Sequence, residues 1–236
     1  MAQRKPIKTS DALTAPATLE GNPFFGLRLD DEQKALRDAI WSDDYDVIFV
    51  DAPAGSGKTT VAVGTSILLH HYGKFKNIVY VMHSVGDAQG FLPGDLTQKS
   101  SVWFEGLYGA LVTCNEFPDK AIRSTSLTEE KNGNGYISAI TDTYLRGSNL
   151  EGVIIIDEAQ NYDEFALRKT LTRACEGAKV IVIGHTLQCD LPLGKKSGFG
   201  PCMDHFRRLN HPRAAFIELS TNHRSWVANA ADKPWD

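Results

Sequence analysis

Residues 47–60 read Val47-Ile48-Phe49-Val50-Asp51-Ala52-Pro53-Ala54-Gly55-Ser56-Gly57-Lys58-Thr59-Thr60, an apolar run that breaks into a glycine-bearing loop and then into a helix-forming stretch. The order of those three pieces carries the reading. A glycine-rich loop after a buried strand lets successive backbone N–H groups converge on phosphate oxygens, and the following helix turns its positive end toward them. Lys58 is placed to reach β- and γ-phosphates, and the Thr59 hydroxyl to ligate a bridging Mg²⁺. Gly55 and Gly57 permit the close backbone approach. Pro53, Ala54, Gly55, Ser56, Gly57, Lys58, Thr59 and Thr60 are therefore the expected nucleotide cradle. The pattern departs from G-x-x-x-x-G-K-[ST] at Ala52, the smallest side chain available in place of the first glycine.

Residues 60–69 are apolar nearly all round, as a helix buried against a sheet requires. About a hundred residues on, Val153-Ile154-Ile155-Ile156 runs into Asp157-Glu158-Ala159-Gln160. A carboxylate at the end of a buried strand facing the loop is what holds Mg²⁺ through its water shell, so Asp157 takes that part. Glu158 then stands where an attacking water is polarised. Two carboxylates in tandem divide the labour between metal and nucleophile.

Composition bounds the alternatives. A chain of 236 residues, 42% hydrophobic, suffices for one α/β domain with a full core. No apolar stretch approaches the roughly 18 residues of a membrane span, and no apolar signal region follows Met1-Ala2-Gln3-Arg4-Lys5-Pro6, so a soluble, cytoplasmic protein is expected. Cys114, Cys175, Cys189 and Cys202 form no C-x-x-C pair and read as reduced thiols. Cys202, His205 and His211 fall in what reads as a Gly/Pro-rich loop, three ligands where a structural zinc takes four, and are read as ordinary loop residues. Net charge is −4, but the segment from Phe165 to Arg224 holds ten Lys/Arg against four Asp/Glu, a net +6, leaving −10 elsewhere. A basic segment on an acidic chain fits either a phosphate-backbone footprint or solvated helix faces.

Along the chain, residues 1–22 lack periodicity and read as a poorly ordered tail, with a single domain over 23–236. The stretch from Asp30 to Trp41 is helical, with Leu36, Ile40 and Trp41 on one face. Strands are expected at 47–51, 77–82, 152–157, 179–183 and 214–219. A ligand-side loop is expected over 83–97, helices over 98–113 and from Asp163 as N-cap to Cys175, and an exposed turn or hairpin tip over 124–135. Short, nearly continuous apolar strands separated by helix-length segments mark a mostly parallel sheet flanked by helices.

Five further blocks carry a family resemblance: Gly90-Phe91-Leu92-Pro93-Gly94-Asp95-Leu96, Tyr144-Leu145-Arg146-Gly147, Asp157-Glu158-Ala159-Gln160-Asn161, Leu171-Thr172-Arg173, and Gly184-x-x-x-Gln188-x-Asp190-Leu191-Pro192. In order and spacing, from about Gln33 to Arg224, the chain resembles the PhoH-like ATPases. That resemblance implies a RecA-like P-loop NTPase fold, similar in core to superfamily-one helicases. It also implies that Gln33 contacts adenine, that Lys58, Thr59, Asp157 and Glu158 serve phosphate, Mg²⁺ and water, and that Gln188 senses the γ-phosphate. Arg224, in Asn222-His223-Arg224-Ser225, matches a late basic position that serves as an arginine finger. A ring-shaped homo-oligomer, a hexamer, with the arginine supplied by a neighbour is implied as well. The chain departs from the family pattern at His83, where arginine is usual, and at His185, where aspartate is usual.

The expected function is Mg²⁺-dependent ATP binding and hydrolysis coupled to single-stranded RNA or DNA. Two rivals are a nucleoside kinase of thymidine-kinase type, which shares a P-loop and an Asp-Glu-Ala-Gln run, and a nucleotide-gated switch with slow hydrolysis.

Overall fold

The computed structural model describes residues 14–83, 104–123, 135–145, 147–192 and 194–231. The expected loop from residue 84, the first part of the helix expected from 98, the hairpin tip up to 134 and Arg146 lie outside these.

Six strands form one sheet among the described residues: β1 (Val47–Asp51), β2 (Ile78–Met82), β3 (Ile137–Thr141), β4 (Val153–Ile156), β5 (Lys179–Gly184) and β6 (Ala214–Glu218). They lie in the order β3-β2-β4-β5-β1-β6, and every pairing is parallel. Parallel strands need covered faces, and the runs supply them: all four residues of β4 and all six of β5 are buried. Side chains alternate between two apolar layers. Ile48, Val50, Ile155, Ile181 and Ile183 face α1 (Asp31–Trp41), α2 (Lys58–His71) and α3 (Glu105–Thr113). Past the short helix α4 (Pro118–Ala121), Phe49, Ile154, Ile156, Val180 and Val182 face α5 (Glu164–Leu171) and α6 (Phe199–Leu209), and a last short helix, α7 (Trp226–Ala231), closes the described chain.

Because all strands point one way, the loops after β1, β4 and β5 emerge along one edge. The register sets Asp51 beside Gly184, and Ile156 beside Val182. β5 thus stands between the strand that feeds the glycine loop and the strand that feeds Asp157.

Three expectations need correction. β3, Ile-Ser-Ala-Ile-Thr, was not foreseen: as an edge strand it is only partly buried along its middle and lacks the continuous apolar run that marks its neighbours. The stretch read as a Gly/Pro-rich loop around Cys202 and His205 is the helix α6. Pro201 sits in its first turn, where the missing N–H has no intrahelical partner to lose. The helix from Asp163 stops at Leu171 instead of Cys175, because Leu150 takes the Arg173 carbonyl (2.8 Å) and returns its own to Cys175 N (2.9 Å), drawing the backbone out of helix.

The tail expectation is also corrected in its second half. Leu19 is 1% exposed and joins the layer of α1 and α2, and the Pro16 carbonyl accepts from Trp41 Nε1 at 3.1 Å. Trp41 needs a partner for its indole N–H at that depth, and the incoming chain provides it. We expect Leu19→Ala to lower stability by about 2–4 kcal/mol in urea unfolding. A loose tail would give a change within about 0.5 kcal/mol.

Candidate active site

The glycine loop leaves β1 through Ala52, which is 1% exposed and donates its N–H to the Gly184 carbonyl at 3.0 Å. Ala52 is absent from the positive-φ residues, so the alanine in place of the first glycine carries no backbone strain. Gly55 (φ 80°) and Gly57 (φ 78°) do lie in the left-handed region. They are also hemmed in. A Cβ on Gly55 would meet Arg224 Cγ and Asn222 Oδ1 at 2.5 Å, and one on Gly57 would meet Gln33 Nε2 at 2.8 Å. Both positions need glycine for their conformation, and a Cβ at either would have to displace the side chain lying over it.

The loop fits a polyphosphate. Gly57 caps α2 with no side-chain bond, and the first turn of α2 carries no acidic residue, whereas α1 and α5 are each capped by an aspartate. The first N–H groups of a 14-residue helix are thereby left facing the loop. Ser56 Oγ is buried there without a hydrogen-bond partner among the described residues. Lys58 is 8% exposed, its Nζ lies 3.4 Å from the Pro53 carbonyl, and it makes no ion pair with a described carboxylate. A buried ammonium and an orphaned hydroxyl beside open amides suit an anion. Pro53, Ala54 and Thr60 are half-buried on the same turn.

Across the sheet edge, Asp157 is 2% exposed. Its Oδ2 accepts from Thr59 Oγ1 at 2.8 Å and from the Tyr80 hydroxyl at 2.5 Å, and its Oδ1 accepts from Glu158 N at 2.8 Å. Thr59 and Asp157, expected as the metal pair, are thus in direct contact. One hydroxyl and one carboxylate beside a glycine loop are oxygen donors of the kind that would suit Mg²⁺.

Glu158 adopts φ 51° and ψ 42°, a left-handed backbone that a glutamate enters at a cost of about 1 kcal/mol. Its Oε2 accepts from Gln160 Nε2 at 2.5 Å, and Gln160 Oε1 in turn accepts from His185 N at 3.1 Å. Burial first, then the Asp157 carboxylate, raise the Glu158 pKa above the ordinary 4.5, against the opposing pull of Lys58 and the Gln160 amide. Gln188 lies on the same loop after β5, its N–H donating to the His185 carbonyl at 3.2 Å.

Gln33 is buried and bonded at both ends of its amide, Oε1 accepting from Asp30 N (3.2 Å) and Nε2 donating to the Ser56 carbonyl (2.8 Å). The residue expected at adenine is therefore tied to the phosphate loop, with one N–H and one lone pair still available. The Arg224 stem packs over Gly55, and His223 N donates to the Gly55 carbonyl at 3.0 Å.

The two departures have distinct surroundings. His185 is 9% exposed, with Nδ1 3.5 Å from Asp51 Oδ1. Asp51 also accepts from Thr186 N (3.0 Å) and Oγ1 (2.7 Å), so a carboxylate stands on β1, one strand over from the position where the resemblance leads one to expect it. His83 packs 4.7 Å from the Tyr162 ring, with Nδ1 3.1 Å from Asp142 Oδ2. Tyr80 and Asp51 were missed by sequence reasoning. No local motif marks them, because their partners come from distant parts of the chain.

This geometry defines a P-loop NTPase domain of RecA-like architecture. The chain belongs to the PhoH-like family, whose model, described as PhoH-like protein, matches residues 28–231. It is 36% identical over 168 residues to a PhoH-like protein of Bacillus subtilis, covering 70% of this chain and 50% of that one. A PhoH-like protein of Mycobacterium leprae is 33% identical over 181 residues, covering 75% and 49%. The chain thus spans about half the length of these curated relatives. Among solved structures, the large terminase of a thermophilic bacteriophage matches with a TM-score of 0.55 at 12% identity, over 87% of this chain and 50% of that one, a likeness of fold. Among the described residues no helix is long and apolar enough to cross a membrane.

The raised pKa of Glu158 has a testable sign. The folded chain keeps this proton to higher pH than the unfolded chain, so ionising Glu158 in place costs stability as pH rises above about 4.5, and the cost is absent below. We expect Glu158→Gln to unfold at higher urea than the parent near pH 8 and to match it near pH 4. A variant less stable at pH 8 contradicts the burial of an ionised carboxylate.

Proposed function

We propose that this domain binds ATP with Mg²⁺ and hydrolyses it, and that hydrolysis is coupled to single-stranded RNA or DNA. The observation that carries the reading is the 2.8 Å contact between Thr59 Oγ1 and Asp157 Oδ2, which joins the phosphate loop to the end of β4 across 98 residues of sequence. The loop amides and Lys58 hold the phosphates. Thr59 and Asp157 would hold Mg²⁺, which would supply positive charge to the phosphate oxygens. Glu158 orients the attacking water, and burial beside the Asp157 carboxylate raises its pKa above the ordinary 4.5, which makes it a stronger base than an exposed glutamate. The chain of bonds from Glu158 through Gln160 to His185 links that base to the loop of Gln188, so a change at the terminal phosphate has a short route to the water. The Arg224 stem crosses Gly55 of its own chain, which favours action in cis over donation to a neighbour in a ring-shaped hexamer. PhoH-like membership favours this reading over the nucleoside kinase.

Coupling to a polymer is supported by the basic segment. Its Arg173, Lys196 and Arg208 make no ion pair among the described residues, while Arg168, Lys195 and Arg207 are paired with Glu164, Asp163 and Glu218. Unneutralised cations near the surface are available to phosphates. The slow-switch reading keeps one supporting observation, the histidine at 185, and differs in outcome: no stimulation by single strands and a rate near background.

We expect Lys58→Ala to lose about a hundred-fold or more in hydrolysis rate with an unchanged circular dichroism spectrum. Parent-like turnover would refute the site. Binding of a single-stranded oligonucleotide should weaken steeply between about 50 and 200 mM salt. No binding at the low end removes the polymer from the account.

A further inference from the structure

The chain that leaves β6 runs back over the phosphate loop and is held there from one side. Leu219 N donates to the Asp51 carbonyl and His223 N to the Gly55 carbonyl, both at 3.0 Å. Between these points the segment is gripped by the first turn of α1. Glu32 Oε2 accepts from Ser220 N at 2.7 Å and Thr221 N at 3.2 Å, and Glu32 Oε1 accepts from Ser220 Oγ at 2.5 Å. Two residues earlier, Asp30 Oδ2 lies 2.8 Å from His223 Nε2, while Asp30 Oδ1 caps α1 by accepting from Gln33 N at 2.7 Å. Gln33 then donates to the Ser56 carbonyl. One helical turn therefore holds the phosphate loop with one residue and the returning segment with two others.

Helix capping does not account for Glu32. Asp30 and Gln33 already complete a reciprocal capping box for α1. The Glu32 carboxylate accepts instead from three donors 188 or 189 positions away, and the Ser220 bonds hold its pKa below the ordinary 4.5. Ser220, Thr221, His223 and Arg224 are not deeply buried, so little apolar burial keeps this segment in place. What the three bonds remove is the freedom of the backbone that carries Asn222 and Arg224, the two side chains pressed against Gly55. A long, rotamer-rich arginine contributes in a consistent geometry only when its backbone is held.

We propose that Glu32 is a positioning residue of the nucleotide site, anchoring Ser220 and Thr221 so that Asn222 and Arg224 stay against the phosphate loop of the same chain. The proposal rests on the reading of that loop as an ATP-hydrolysing site. The hydrogen bonds of the Glu32 carboxylate go to Ser220 and Thr221. It acts through Arg224, and that dependence separates it from a residue that only stabilises the fold.

The test is a double-mutant cycle on the full chain with Mg²⁺ and ATP, reading kcat, KM and amide hydrogen exchange over residues 219–224. Glu32→Ala should lower kcat on the order of ten-fold, more than it alters KM, and speed exchange at Ser220 and Thr221 without speeding it in α2. Glu32→Gln should recover most of the rate, since one amide oxygen can take the N–H groups while its NH₂ donates to Ser220 Oγ. Adding Glu32→Ala to Arg224→Ala should cost much less than Glu32→Ala costs alone, since only the Asn222 contact is then left to lose. A double variant slowed by the product of the two single losses, or Glu32→Ala at the parent kcat, overturns the proposal. Should Glu32→Ala not fold, Ser220→Ala, which removes the Oγ bond alone, enters the same cycle with a smaller loss expected and the same non-additivity with Arg224→Ala as the criterion. Lys58→Ala separates the two levels. If it is inactive while Glu32→Ala is parent-like, only the positioning role falls, and if Lys58→Ala itself is parent-like, the hydrolysis reading falls and takes this proposal with it.

Discussion

The carboxylate of Asp157 is the point on which the site is built. A carboxyl group 2% exposed at the end of a buried strand has lost most of its water, and its bonds must come from the protein. Thr59 supplies one from the phosphate loop, Tyr80 one from the neighbouring strand, and the backbone of Glu158 a third. These donors converge only because β2 and β4 are paired in parallel and because β1 and β4 end along the same edge with β5 between them. Tyr80 makes the dependence plain. Its hydroxyl is buried beside an acid, and burial together with Asp157 keeps it protonated far above the ordinary phenol range, so it serves as a permanent donor.

The surrounding residues carry costs that a purely structural sheet edge would have avoided. Glu158 occupies a left-handed backbone conformation with its ionised form disfavoured, Ser56 has a buried hydroxyl without a partner among the described residues, and α2 begins without a capping side chain. Each is a local destabilisation that the proposed anion and cation would relieve. The ordinary devices appear elsewhere: Asp30 and Asp163 cap α1 and α5, and Trp41 finds the Pro16 carbonyl. The costs at Glu158, Ser56 and the start of α2 fall together beside Asp157, as physical reasoning expects of a binding site, while the left-handed Phe24 and Phe25 and the Tyr136 hydroxyl, unpartnered among the described residues, are costs carried elsewhere in the fold.

Much of this was legible in the chain itself. β1, β4 and β5 are continuous apolar runs because both their faces are covered, and that same burial makes them easy to read. The phosphate loop and the Asp157-Glu158 pair are local patterns whose chemistry depends on adjacent residues. What escaped is non-local or sits at margins. β3 is a half-exposed edge with serine and threonine, α6 begins with Phe-Gly-Pro and so resembles a loop, and Leu19 is an apolar residue in a tail without periodicity, packed in the layer of α1. Tyr80 and Glu32 draw their meaning from partners 77 and 188 positions away, beyond the reach of any window along the sequence.

A titration of ATP into the purified chain by calorimetry, with and without Mg²⁺, tests the central claim most directly. The account predicts saturable binding at a single site per chain that weakens when Mg²⁺ is withheld and weakens further in Asp157→Asn. Absence of heat with Mg²⁺ present, or binding indifferent to both the metal and Asp157, would contradict it.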